Sequence, residues 1–170
     1  MRIYFVKIGE GTNHSIIGLY SSIERAYNAA IPYIENPDLT LQQAKAVDSS
    51  QYNVIIHDKK HLNVSAIFET FDVDSRNTTF YRIVNSDGFA FYSNFKSAFN
   101  NLSRLILDNF GSTDNIFIES NGNVLPFNYQ NAFRSRDIAF HIININPINK
   151  NEEDLFTVEL WYLNEDARLY

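Results

Sequence analysis

The chain reads as an α+β protein made of two fused β-β-α-β-like units, each an antiparallel sheet covered by helices. Three observations predict this. The stretch Tyr20-Ser21-Ser22-Ile23-Glu24-Arg25-Ala26-Tyr27-Asn28 recurs as Tyr92-Ser93-Asn94-Phe95-Lys96-Ser97-Ala98-Phe99-Asn100. Each copy follows a short β-like run and opens a run with helical periodicity. The aromatic content is 15 %, which favours strands and half-buried faces.

The first unit is expected over 1–76 and the second over 77–170, packed together and short of a flexible tether. Residues 3–8 read as a strand, the turn-rich Gly9-Glu10-Gly11-Thr12-Asn13 breaks it, and Ile16 to Tyr20 returns. A helix follows from about Ser22 to Ile34, with Ser21 expected as its cap and Glu24 three residues on completing a capping box. Ile23, Ala26, Tyr27, Ala30, Ile31 and Ile34 form its apolar face, and Pro32 is placed to kink its end. Thr40 with Gln43 has capping-box spacing and starts a short helix ending near Val47. Strands are expected at Tyr52 to Ile56 and Val64 to Val73, with the polar turn His57-Asp58-Lys59-Lys60-His61 between them. Asp74-Ser75-Arg76-Asn77 is the expected boundary.

The second copy begins with Phe80 to Val84, a hairpin signal through Asp87-Gly88, and a return strand Phe89 to Tyr92. Phe95, Ala98, Phe99, Leu102, Leu105 and Ile106 mark a helix that Gly111 should close. Strands Asn115 to Glu119 and Val124 to Phe127 flank a second hairpin signal, Asn121-Gly122. Tyr129 to Arg136 reads as a short helix, Ile138 to Ile145 as a strand, 147–154 as a polar loop, and Leu155 to Leu163 as the last strand. The second copy is longer, mostly after its helix, and an insertion in a repeat often carries what is specific to it.

Composition bounds the chemistry. At 170 residues and 45 % hydrophobic the chain can bury a proper core. Its formal charge of −6, with no run of basic residues, disfavours a nucleic-acid partner. Without cysteine it has no disulfide, thiolate metal site or cysteine nucleophile. Met1 to Lys7 is too short an apolar run for a signal peptide, and no segment approaches the roughly 18 apolar residues of a membrane span, so a soluble protein is expected. The Asn-x-Ser/Thr sequons at Asn13, Asn63, Asn77 and Asn101 read as accidents of an Asn-rich chain.

No catalytic, cofactor or metal residues are assigned. His57 and His61 have i, i+4 spacing but fall in a turn, and His141 sits inside an apolar strand. Glu69, Asp72 and Asp74 do not share a strand face, and Glu152, Glu153 and Asp154 read as a solvated loop. The aromatics Phe89, Phe91, Phe127, Tyr129, Phe133, Trp161 and Tyr162 serve either a core or a contact surface. The unshared segment 110–154 mixes aromatics with arginines, so Phe127, Tyr129, Phe133, Arg134 and Arg136 are the candidate partner-binding residues. The same segment also reads as a flap that covers a sheet edge.

The layout of strand, turn, strand ending in Tyr20-Ser21-Ser22-x-Glu24-x-Ala26, helix, then Phe68-Glu69-Thr70-Phe71-Asp72-Val73-Asp74 resembles small accessory proteins of phages and large DNA viruses. That resemblance implies a non-enzymatic protein acting through protein–protein interaction, as a virion component or a host-directed accessory or inhibitor factor. It implies a host or viral protein partner and a location in the host cytoplasm or virion. Homo-oligomerisation stays open. The alternative is a small-molecule-binding protein or hydrolase with a site between the units.

Overall fold

A computed structural model describes residues 1–50, 52–73 and 76–164. The protein is α+β, with four α-helices and two antiparallel sheets among those residues. It divides into two compact units, Met1–Thr78 with the segment that starts at Tyr162, and Thr79–Trp161. Of the expected boundary, Asp74 and Ser75 lie outside the described residues, as does the acidic group of Asp74.

The first unit has the order β1 (Arg2–Glu10), β2 (Asn13–Tyr20), α1 (Ile23–Ala30), α2 (Leu41–Ser49), β3 (Val54–His57) and β4 (Val64–Asp72). Its sheet runs β2-β1-β4-β3. Alternation along the strands decides which side chains face the helices. Tyr4 and Val6 of β1, Val54 and Ile56 of β3, and Ala66 and Phe68 of β4 meet Ile23, Ala26 and Ala30 of α1 and Ala44 of α2 in one core. Ala26 and Ala30 are fully buried, so small side chains line the helix where it meets the sheet.

Three local details differ from the sequence reading. The cap of α1 is Ser22, whose Oγ accepts the Arg25 N–H at 3.2 Å, and not Ser21. Ser22 is the last extended residue before the helix (φ −148°, ψ 155°), so only its hydroxyl reaches the third helical amide. Ser21 instead donates its N–H to Asn164 Oδ1 at 2.9 Å, and Glu24 pairs with Lys45 at 3.6 Å instead of completing a box. At Pro32 the α-helix stops at Ala30 and gives way to a 3-10 turn over Ile31–Tyr33. Thr40 does form the complete capping box with Gln43.

The second unit has β5 (Thr79–Asn85), β6 (Gly88–Tyr92), α3 (Phe95–Phe110), β7 (Ile116–Ser120), β8 (Asn123–Pro126), α4 (Tyr129–Ser135), β9 (Phe140–Ile145) and β10 (Glu152–Tyr162). Its sheet runs β6-β5-β10-β9-β7-β8. Without the β7–β8 hairpin this is the order of the first unit. The registers match as well. Tyr4 faces Tyr20 and Tyr81 faces Tyr92; Val54 faces Phe68 and Phe140 faces Val158; Ile56 faces Ala66 and Ile142 faces Phe156. Apart from the β7–β8 hairpin, each unit is therefore β-β-α-α-β-β, the β-β-α-β-like plan with the second helix and further strand that the individual segments predict.

Asn94 caps α3 by accepting the Ser97 N–H at 2.9 Å, the counterpart of Ser22 in the first unit. Gly111 closes α3 at φ 74°, a left-handed conformation that glycine adopts without strain. In the first hairpin of this unit Asn85 pairs with Gly88, so the turn is centred on Ser86-Asp87 and Gly88 opens the strand. In the second, Asn121 (φ 50°) and Gly122 (φ 78°) are both left-handed between the pair Ser120 and Asn123, the geometry of a type I′ turn. The acidic run Glu152-Glu153-Asp154 is not a loop. It pairs with Ile145, Asn144 and Ile143 as the exposed start of β10.

Candidate partner-binding surface

The unshared segment builds outward from β7. Ile116 and Ile118 are buried in the core of the second unit, and the β7–β8 hairpin extends the sheet by two strands. All four residues of β8 are exposed. Pro126 ends this edge strand with no N–H to offer, and Asn131 Nδ2 donates to its carbonyl at 2.8 Å, so that end is closed to further strand pairing. The Phe127 N–H then returns to the Ile116 carbonyl at 3.0 Å, and Asn128 caps α4 by accepting the Asn131 N–H at 2.9 Å.

This path places five aromatic rings together. Phe127 is buried and stacks on Phe99 of α3, centroids 5.2 Å apart at 22°. Tyr129 meets Phe99 edge-on at 5.2 Å, and Phe133 meets Phe95 edge-on at 6.0 Å. Tyr129 and Phe133 are one helical turn apart and stack at 5.8 Å, as i, i+4 neighbours on one face of α4 do. Both remain about 40 % exposed (39 % and 40 %), so the cluster has a buried floor and an open rim. Offset and edge-on pairs of this kind contribute roughly 0.5–1.5 kcal/mol each beyond the area they bury.

Arg136 completes the rim. Its guanidinium lies 3.6 Å from the Phe133 ring centroid, and its Nη1 donates to the Phe133 carbonyl at 2.7 Å. Arg134 is exposed on the last turn of α4. Residues two apart on a helix do not face each other, so Arg134 stands apart from the stack. Among the described residues neither arginine has a carboxylate within ion-pair distance, whereas Arg2, Lys7, Lys45 and Arg82 each do. The structure thus brings Phe127, Tyr129, Phe133 and Arg136 together and leaves Arg134 beside them. The sequence reading assigned Phe95 and Phe99 only to a helix face. Their aromatic i, i+4 spacing beside Ala98 was the available signal that they also floor this cluster.

The other singled-out groups lie elsewhere. Phe89 and Phe91 contact each other edge-on at 5.8 Å, and Arg82 sits 5.0 Å over Phe89. His57 ends β3 and His61 lies in the turn after it. His14 Nε2 on β2 reaches across Gly9 of β1 to meet Ser65 Oγ on β4 at 2.9 Å, and His141 Nδ1 meets Thr157 Oγ1, its directly paired neighbour on β10, at 3.2 Å. Among the described residues no three His, Asp or Glu side chains gather as metal ligands do. No helix among them is long and apolar enough to cross a membrane.

Two buried polar sites belong to the first unit. Burial and then the hydrogen bond to Asp48 push the Tyr4 hydroxyl up to about 12, and that hydroxyl donates to Asp48 Oδ2 at 2.7 Å. Arg2 lies beside the same carboxylate at 3.6 Å. Burial opposes ionisation of Asp58, but the backbone N–H groups of Lys60, His61 and Glu35 outweigh it and lower its pKa. That carboxylate ties the β3–β4 turn to the segment before Asn36, a structural task that takes three backbone N–H bonds.

In the second unit an open depression of about 250 Å³ lies against β5, β6 and α3. Ile83, Phe89, Leu105 and Phe156 supply apolar walls, and Asp87 is its one carboxylate. No protein-family model, curated protein or solved structure matches this chain.

Proposed function

We propose that this is a non-enzymatic protein that acts through protein–protein contacts, and that the rim formed by Tyr129, Phe133 and Arg136, with Arg134 beside it, is the contact surface. The observation that supports this reading most is the open side of the aromatic cluster. Two rings are fixed by packing beneath them, and an arginine without a carboxylate partner among the described residues is stacked on one of them. Aromatic residues and arginine are enriched at interfaces and among the residues that carry most of the binding energy. A role as a phage or viral virion component or host-directed accessory factor is part of the proposal, and it rests on the resemblance of the Tyr20-to-Ala26 layout.

Site-specific photo-crosslinking tests it. A crosslinker placed at Tyr129 should capture a defined protein from the native host or virion, whereas the same group at Tyr52, an exposed control at 69 %, should not. Equal capture from both positions, or none from either, would remove the contact surface from α4.

A second reading, small-molecule binding, draws on the depression beside Asp87. Its open form and few polar groups fit that role poorly, because ligand sites usually enclose most of the ligand and converge several polar groups on it. A ligand screen that shifts resonances of Ile83 and Leu105 would favour this reading.

A further inference from the structure

We infer that the partner of the α4 rim is a protein segment that carries acidic side chains next to an aromatic or large aliphatic one. The inference rests on the contact-surface reading above and adds the chemistry of the partner. Arg136 is held in place by its own fold, with one N–H on the Phe133 carbonyl and its central carbon 3.6 Å from the ring centroid. A guanidinium has five donors, and this arrangement commits only one of them in the described structure. A guanidinium whose face is taken by a ring still has its N–H edges, the part that matches a carboxylate, for other partners. Arg134 is an exposed cation on the last turn of α4, two residues before the half-buried Arg136 at its C-cap, and Lys96 lies exposed in the first turn of α3 beside Phe95. Asp137, exposed just past α4, is the acidic group nearest in sequence.

Arg134, Arg136 and Lys96 thus flank these rings in sequence against one carboxylate, Asp137, on a chain whose total is −6. A basic segment would meet Arg134, Arg136 and Lys96 with like charge. An acidic one would meet complementary charge that speeds encounter and fixes register. Tyr129 and Phe133, both part-exposed, present apolar ring surface that an isolated carboxylate cannot use. One aromatic or aliphatic side chain of the partner would cover it, as anchors do in interface cores.

The probe is a synthetic peptide in which glutamates flank one phenylalanine. Its controls are the same peptide with lysines for glutamates and one with alanine for phenylalanine. Titrations followed by nuclear magnetic resonance should place the glutamate–phenylalanine peptide on α4. Its affinity should fall with salt and exceed that of the lysine peptide by at least about tenfold, as expected for a charge-assisted bond worth roughly 1.5–3 kcal/mol. Arg136→Gln should weaken binding by about tenfold at an unchanged melting temperature, and Arg136→Lys, which keeps charge without the planar fork, should fall between. Equal binding of both charged peptides, or no effect of Arg136→Gln, would overturn the acidic assignment. If crosslinking from Tyr129 still captured a partner in that case, the contact surface would stand and only its charge preference would fall. Concentration-dependent self-association abolished by Arg136→Gln would assign the rim to a second copy of the chain and also overturn the inference.

Discussion

The second helix of the first unit hides a carboxylate, while its counterpart in the second unit displays a guanidinium. Thr40 and Asn128 cap these helices, Gln43 and Asn131 receive the caps, and Ala44 and Ala132 are buried one position later. Four residues on, the first helix carries Asp48, buried against Tyr4 and Arg2. The second carries Arg136, stacked on an exposed ring. The scaffold is the same, so the difference lies in what each unit asks of this position. In the first it completes an internal polar cluster. In the second, the helix follows the β7–β8 hairpin and packs its rings on the aromatic floor of α3. A repeated framework fixes the core, and the insertion changes what surrounds one helix face.

The sharpest test of a shared framework is to damage each core at the cross-strand pair the two units share, Val54 with Phe68 in the first and Phe140 with Val158 in the second, where the ring sits on opposite strands. Phe68→Ala on β4 and Phe140→Ala on β9 each remove a fully buried ring, and each should cost about 3–5 kcal/mol in chemical denaturation. If one were nearly neutral, the two cores would not be doing the same job.

Next in size is the polar cluster of Tyr4, Asp48 and Arg2 in the first unit. Tyr4→Phe leaves the Asp48 carboxylate buried without its 2.7 Å donor and should cost about 1–3 kcal/mol. The Tyr4 pKa is raised in the folded state, from 10.0 to about 12, so its contribution is fully present below 10.0 and is lost as pH rises toward about 12. A stability profile across that alkaline window should flatten in Tyr4→Phe. Asp58 works in the opposite direction. Its folded pKa lies below its ordinary 3.8, so its stabilisation is present above that value and is lost as pH falls through the lower folded one. Asp58→Asn should remove part of the acid-induced fall in melting temperature, and an unchanged acid limb would show that the three backbone donors do not favour the charge.

Smaller effects separate the helix caps. Ser22→Ala and Asn94→Ala should each cost roughly 1 kcal/mol, since each loses the bond to the third helical amide. Arg134→Ala, on an exposed turn with no ion-pair partner among the described residues, should change stability by no more than about 0.5 kcal/mol.

Much of this framework was legible because it is local. The Tyr20 and Tyr92 motif, the Thr40 box, Asn121-Gly122 and Gly111 all encode geometry within a few residues. What the sequence left hidden depends on partners distant in the chain. Ser21 and Ser22 both suit a cap, and only Asn164, which takes the Ser21 N–H from the far end of the chain, decides between them. Glu152-Glu153-Asp154 has the composition of a loop, yet ladder pairing with β9 makes it a strand. The aromatic rim was read from composition in 110–154, but its floor was not, because Phe95 and Phe99 meet Tyr129 and Phe133 only once α3 and α4 pack. Arg134 and Arg136 look alike in sequence, and helix geometry alone sets them apart.

The claim that most needs testing is that the α4 rim exists for a partner and not for stability. The direct measurement is the affinity of the captured partner for wild type and for the variant carrying Phe133→Ala, Arg134→Ala and Arg136→Ala, set beside the melting temperature of each. The account predicts a loss of at least about tenfold in affinity, since interface anchors of this kind cost 2 kcal/mol or more when truncated, with a melting temperature almost unchanged. A large drop in melting temperature with affinity intact would contradict it and make the segment a flap that covers the sheet.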